Sequence, residues 1–222
     1  MWEDEAKPVK TVLIGEAGVG KTCIISRFVN NIYDDNTMSN INPAFSAKTM
    51  KFNAFGGKEL RYDLWDTAGQ EKYKSIAKFL YKDAQVIIFV YDITRIDSFD
   101  EIKNYWYKEV KENCNKGVIL GLAGNKCDLF EREKVTEKQG KELATEMGAV
   151  FRLTSPKEKV GINELFQDIG CKVLGNVVPN NKGNQEESSL FNTMMGDFEI
   201  IDKKNIKLEE YNVKEVEIKK SC

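Results

Sequence analysis

Gly15-Glu16-Ala17-Gly18-Val19-Gly20-Lys21-Thr22 decides how the rest of the chain is read. Glycine, four residues, then Gly-Lys-Thr fits the phosphate-binding loop pattern. The glycines let the backbone curl until successive N–H groups point into one anion-sized hollow. A helix beginning near Gly20 adds the positive end of its dipole. Gly15, Gly18, Val19, Gly20 and Cys23 are then expected around the phosphates. Lys21 would reach the terminal ones, and the Thr22 hydroxyl would hold magnesium. The flanks agree, with a buried-strand pattern at 9–14 before the loop and helical spacing of apolar residues at 23–29 after it. The alternative is a chance Gly/Lys loop.

The 222-residue length suits one α/β domain with an appendage, or two small domains. At 41% apolar the chain can fill an ordinary core, and 31% charged residues suit a soluble surface. A net charge of −2 gives no electrostatic case for nucleic acid. The absence of histidine excludes His-based triads and His metal sites. Five cysteines, Cys23, Cys114, Cys127, Cys171 and Cys222, are scattered and include no Cys-x-x-Cys pair. That usage predicts a reduced cytosolic protein, not a disulfide framework or a zinc site. The longest apolar run, 86–91, has a strand's length, so neither a signal peptide nor a spanning segment is expected.

Beyond the first helix, residues 33–43 are polar and rich in Asn and Asp, as a long exposed loop would be. Residues 45–55 and 58–65 are strand-like, with Gly56-Gly57 as the hairpin turn. A short helix is expected at 72–81 and a near-continuous apolar strand at 85–92. Ser98 is placed at the N-cap of a helix over 99–113. A strand at 118–123, a helix capped by Thr136 and running to 147, a strand at 150–153 and a helix at 162–174 complete the pattern. Strands alternating with helices after one initial hairpin predict an α/β fold. The sheet would be doubly wound, six-stranded and mostly parallel, with one antiparallel edge strand. Beyond about residue 174 the composition turns polar and charge-rich, so the domain is placed at 7–174 and residues 175–222 are read as a disordered tail.

Asp66-Thr67-Ala68-Gly69-Gln70 follows one of these strands. Asp66 can hold magnesium through water, the Gly69 N–H can bond a γ-phosphate, and Gln70 can orient an attacking water. A capped turn before a helix is the alternative. Asn125-Lys126-Cys127-Asp128 selects the base. A carboxylate at Asp128 accepts two hydrogen bonds from guanine's N1–H and exocyclic amine; adenine lacks that pair and would leave the charge unpaired. All three motifs follow strands, so their loops are expected to meet at one edge of the sheet.

In this order the motifs resemble small GTPases of the Ras superfamily, specifically the Rab branch, over about residues 7–174. Lys72-Tyr73-Lys74-Ser75-Ile76, Phe89-Val90-Tyr91-Asp92-Ile93-Thr94 and Asp97-Ser98-Phe99 are similar to Rab signatures. Pro43-Ala44-Phe45 and Gly161-Ile162-Asn163-Glu164-Leu165-Phe166 are most similar to endosomal Rabs. The resemblance implies a monomeric GTP/GDP switch with magnesium as cofactor, peripheral on the cytosolic face of endomembranes and acting in vesicle traffic. It implies exchange factors, GTPase-activating proteins and effectors as partners, with slow intrinsic hydrolysis completed by a partner's arginine. Tyr33 falls where the family sets an aromatic against the guanine edge, and Asn125, Lys126, Ser155, Pro156 and Lys157 fall in its base-binding segments. Phe45 and Trp65 fall in the effector-facing aromatic set, although Trp65 also reads as a core-packed strand residue. A guanine-nucleotide-binding interaction module with little hydrolysis is the rival reading, and Gln70 favours the enzyme over it. Asp128 argues against a third reading, an ATP-using P-loop kinase.

Several positions depart from the family. Aligned on Phe45, Asn40 stands where a magnesium-binding threonine is usual, with Ser39 as the substitute if the loop slips by one residue. An amide oxygen differs in reach from a hydroxyl, which predicts weaker discrimination of GTP over GDP and slow hydrolysis. Pro156 replaces an alanine whose amide bonds guanine O6; proline has no N–H, and the Lys157 amide is the nearest replacement. Ala17 is a small side chain of the kind Rabs carry there, and Leu80 replaces the third effector aromatic. Cys222 stands alone where two prenylated cysteines are usual, and Val216-Glu217-Ile218 is similar to the element offered to the prenylation escort. One lipid beside Lys219 and Lys220 implies reversible membrane attachment. An unmodified thiol is the other reading.

Overall fold

The structure, a computed structural model, describes residues 6–34, 44–67 and 80–177. Six strands form one sheet: β1 (Lys7–Ile14), β2 (Ala44–Phe52), β3 (Lys58–Asp66), β4 (Val86–Asp92), β5 (Ile119–Asn125) and β6 (Val150–Thr154). Their order is β2-β3-β1-β4-β5-β6, with β2 antiparallel to β3 and every other pair parallel. This is the α/β architecture the alternation of elements predicts, with β2 as its antiparallel edge.

The central strand explains the layering. All seven residues of β4 are buried, as a parallel strand covered on both faces requires. Successive side chains go to opposite faces. Val86, Ile88 and Val90 join one apolar cluster with Phe28, Phe52, Tyr62 and Phe166. Ile87, Phe89 and Tyr91 join a second with Phe99, Trp106, Leu143 and Met147. Burying each such side chain stabilises the fold by ~1.5–3 kcal/mol, so both faces need helices over them.

Helix α1 (Lys21–Asn30) buries Lys21, Ile24, Ile25 and Phe28, a stripe at helical spacing. Helix α2 joins Ile96–Glu101 and Tyr107–Asn113 through a π-helical segment, Ile102–Trp106. Helix α3 (Glu137–Met147) starts in a capping box between Thr136 and Gln139, and Gly148 stops it in a left-handed turn. Helix α4 (Ile162–Val177) buries Ile162, Leu165, Phe166, Ile169 and Val173. Phe166 stacks on Phe28 with centroids 3.7 Å apart, and its carbonyl accepts from the Tyr62 hydroxyl at 2.6 Å.

Local readings are corrected in four places. The strand expected to reach residue 55 ends at Phe52, because Asn53–Phe55 form a 3-10 turn. α4 runs to Val177, beyond residue 174. Arg95, not Ser98, is the N-cap of α2. The Ser98 hydroxyl lies inside the first turn, accepting from the Asp92 N–H at 3.1 Å and donating to the Arg95 carbonyl at 2.7 Å, so a strand-end amide has claimed the expected cap. Leu80, set in sequence among effector-facing residues, is only 9% exposed and packs in the second apolar cluster. Of the helix expected at 72–81, only Leu80 and Tyr81 are described, and both are helical.

Candidate functional site

The parallel registers bring the motif-bearing strand ends together. Leu13 lies opposite Asp66, and Ile14 opposite Phe89. Asp92, Asn125 and Thr154 are in register across β4, β5 and β6. Each strand therefore delivers its loop to the same edge, where ligands of such sheets bind.

The loop at residues 15–20 is shaped by what stands behind it. A Cβ on Gly15 would lie 2.1 Å from the Val90 carbonyl oxygen, and one on Gly20 would lie 2.3 Å from Asn125 Nδ2. Gly20 also has φ 96° and serves as the N-cap of α1 without a side-chain cap. The first amides of α1 are thus left for an anion. Val19 is buried, Gly18 is exposed at the rim, and Cys23 is half-buried in the first turn.

Lys21 is 5% exposed, and its Nζ donates to the Gly15 and Glu16 carbonyls at 2.8 Å each. Burial lowers its ammonium to about 8, against the raising pull of the Asp66 and Glu16 carboxylates. A buried cation whose hydrogen-bond partners are neutral carbonyls is suited to an anionic ligand. Beside it the Thr22 hydroxyl donates to Asp66 Oδ2 at 2.5 Å, and Thr67 Oγ1 donates to the Leu13 carbonyl at 2.7 Å. Among the described residues no cluster of three or more His, Cys, Asp or Glu could hold a metal. The hydroxyl–carboxylate pair instead fits a magnesium ion that takes few protein oxygens and completes its shell with phosphate and water.

The base-selecting side is tied to the same loop. Asn125, 1% exposed, donates from Nδ2 to the Val19 carbonyl at 2.7 Å and accepts on Oδ1 from the Thr154 hydroxyl at 3.0 Å. Lys126 is held in a left-handed turn (φ 63°), with its Nζ 2.7 Å from Asp92 Oδ2. The Ser155 hydroxyl donates to Asp128 Oδ1 at 2.6 Å and accepts from the Glu158 N–H at 3.1 Å, orienting the carboxylate from one side. Pro156 is buried, and its carbonyl accepts from Arg27 Nε at 2.7 Å; Lys157 is exposed. Burial and the Asp128 charge push the Cys127 thiol up to about 11, which keeps it protonated and inert.

Tyr33 is half-buried just beyond α1. Phe45 is 54% exposed and meets Trp65 edge-on at 5.3 Å across β2 and β3. Trp65 also packs on the second apolar cluster, so it belongs to core and surface at once. Asn40, Gly69, Gln70 and Cys222 lie outside the described residues, as do Ser39, residues 72–76 and residues 216–218.

Sequence reading missed four side chains that shape this site: Arg27, Asp92, Arg95 and Thr154. Asp92 and Thr154 end strands at the ligand edge and could have been found on that ground. Arg27 and Arg95 carry no local signal, because their partners are distant in sequence.

Residues 10–175 match the Ras family. The chain is 39% identical to the Ras-related protein Rab-13 of Rattus norvegicus over 88% of its own length and 92% of the relative's. It is 40% identical to Rab-31 of Mus musculus and 37% identical to Rab-22A of Homo sapiens, in each case over 75% of this chain and 84% of the relative. Among the described residues, no helix is long and apolar enough to cross a membrane.

Proposed function

The chain belongs to the Ras family, on its Rab branch, and from that premise we propose how its own residues bind GTP and GDP with magnesium and hydrolyse GTP as a switch in membrane traffic. The observation that carries the assignment of residues is Asn125, whose one amide ties the base-selecting strand end to the phosphate loop and to Thr154.

Gly15, Gly18, Val19, Gly20 and Cys23 present backbone to the phosphates, and Lys21 gives up its carbonyl partners to hold the terminal oxygens. Thr22 and, through water, Asp66 would hold magnesium, with Asn40 closing over the third phosphate. Magnesium supplies charge neutralisation on the phosphate oxygens. Gly69 donates to the terminal phosphate, and Gln70 orients the water for in-line attack. Asp128, steadied by Ser155, accepts from the guanine edge, while Lys126, Tyr33, Pro156 and Lys157 enclose the base.

Phe45 and Trp65 offer an apolar face to effectors, and exchange factors and GTPase-activating proteins act on the loops around the phosphates. The protein works as a monomer at the cytosolic face of endomembranes, with endosomes as the proposed compartment. Residues 216–218 engage the prenylation escort and Cys222 takes the lipid, which intact-mass analysis of protein from its native cell tests directly.

A single-turnover assay with magnesium, run beside nucleotide competition, tests the enzymatic assignment. GTP and GDP are expected to compete with each other and ATP to fail, with GTP cleaved slowly and more slowly still in Gln70→Leu. Equal binding of ATP would overturn the base assignment, and a Gln70→Leu protein cleaving at the wild-type rate would overturn the role of Gln70.

A further inference from the structure

Glu16 is out of place by charge. It puts a carboxylate inside a loop whose ligand is a chain of anions, and its charge acts on the very lysine that must hold them. Left alone it would repel the phosphates, and a triphosphate more than a diphosphate. It is not left alone. Arg95, at the N-cap of α2, sets Nη2 2.5 Å from Glu16 Oε2 and donates from Nη1 to the Ala17 carbonyl at 3.0 Å. One planar fork thus grips a side chain and a backbone oxygen of adjacent loop residues, a geometry that lysine cannot reproduce. Asp97 Oδ2, 2.6 Å from the same Nη2, shares the guanidinium with Glu16 and holds it in place.

The backbone contact has a second effect. In a trans peptide the C=O and the next N–H point in opposite directions. No described peptide is cis. With the Ala17 carbonyl drawn out toward Arg95, the Gly18 N–H is turned the other way, away from the guanidinium.

We propose that Arg95 is a positioning residue of the nucleotide site, neutralising Glu16 and holding the Ala17–Gly18 peptide so that the phosphate loop accepts a triphosphate. The inference rests on the nucleotide reading above. Its charge component predicts a bias: losing Arg95 weakens GTP more than GDP, because GTP brings one more charged phosphate into the loop.

The test is made on the full chain, with magnesium and fluorescently labelled GDP and GTP, by measuring dissociation rates for wild type, R95Q, R95K, E16Q and the double variant R95Q/E16Q. With the pair part-exposed, R95Q should release GTP about fivefold faster and GDP about twofold faster. The double variant should recover most of the GTP loss, R95K should fall between wild type and R95Q, and raised salt should narrow the GTP difference. A merely structural loss would slow or speed both nucleotides alike and would not be rescued by removing a second side chain. Wild-type GTP release from R95Q, or no rescue in R95Q/E16Q, would overturn the inference. Failure of wild type to bind either nucleotide would instead sink the site reading itself. Should R95Q not fold, E16Q alone decides: it should hold GTP at least as tightly as wild type while leaving GDP unchanged, and weaker GTP binding would refute the charge argument.

Discussion

Tyr91 is a residue the fold tolerates at a cost. Its hydroxyl is buried between Gly124 and Gly140 and finds no hydrogen-bond partner among the described residues. Burial drives its ionisation far upward, so the phenol stays neutral. An unsatisfied buried polar group is destabilising by ~1–3 kcal/mol, whereas removing it leaves the ring's packing on Phe99 intact. Tyr91→Phe should therefore stabilise the GDP-loaded protein by ~1 kcal/mol in urea unfolding, and a loss of stability would show that the hydroxyl is satisfied after all. Pro156 poses the opposite question, a missing donor. Its carbonyl is already held by Arg27, which also donates to the Asn31 carbonyl at 2.6 Å and its side-chain oxygen at 3.1 Å. Restoring an N–H with Pro156→Ala should tighten GDP binding by ~0.5–1.5 kcal/mol, one ordinary hydrogen bond. The same change frees the unfolded chain and lowers intrinsic stability by ~0.4–1 kcal/mol, so the effect must be read in dissociation constants, not melting temperatures. Unchanged affinity would mean that the Lys157 amide already serves the base.

Among the elements, α4 sets helix propensity against packing. Gly170 sits mid-helix, where alanine is ordinarily better by ~1 kcal/mol. A Cβ there would lie 2.0 Å from the Phe52 ring and 2.6 Å from the Tyr62 hydroxyl. Neither ring is free to retreat, since Phe52 and Tyr62 are fully buried and Tyr62 is bonded to the Phe166 carbonyl. Overpacking of this kind costs ~1–3 kcal/mol, so Gly170→Ala should lower stability by up to ~2 kcal/mol on balance. A more stable variant in the same urea titration would show slack between α4 and the hairpin. Elements set by near neighbours were legible in the sequence. The apolar run of β4, the stripe of α4 and the Thr136 cap are set by near neighbours, and each stands where its pattern placed it. Ser98 obeyed a local capping rule until the Asp92 amide outbid it, which moved the helix start back and freed Arg95 to face the phosphate loop. The π-helical turn between Ile102 and Trp106 has no sequence signal that we can identify. Arg95 and Glu16 lie 79 residues apart, so no window of sequence could pair them.

For the molecule as a whole, the sheet is the rigid part and its carboxyl edge the conditional one. β4 is buried along its whole length and packed on both faces, so its local structure is held by packing and opens only with global unfolding. The edge is different: a buried lysine rests on carbonyls, the N-cap of α1 lacks a side chain, and Asn125 and Ser155 bridge the loops by hydrogen bonds. A nucleotide binding across these loops would give the lysine and the first amides of α1 an anionic partner and add contacts to the loops that Asn125 and Ser155 already bridge. Stabilisation by a ligand that binds only the folded state grows as the logarithm of its excess, reaching about 4 kcal/mol at a thousandfold excess over Kd. Stripping nucleotide and magnesium with a chelator should therefore lower the unfolding midpoint markedly, and GDP with magnesium should restore it. Hydrogen exchange locates the change. Amides at 15–23, 125–128, 155, 157 and 158 should lose protection in the stripped protein, while those of β4 and the buried face of α4 stay protected until global unfolding. Uniform loss across the sheet would mean that the nucleotide is part of the core's stability, and protection unchanged at residues 15–23 would mean that the phosphate loop is built without it.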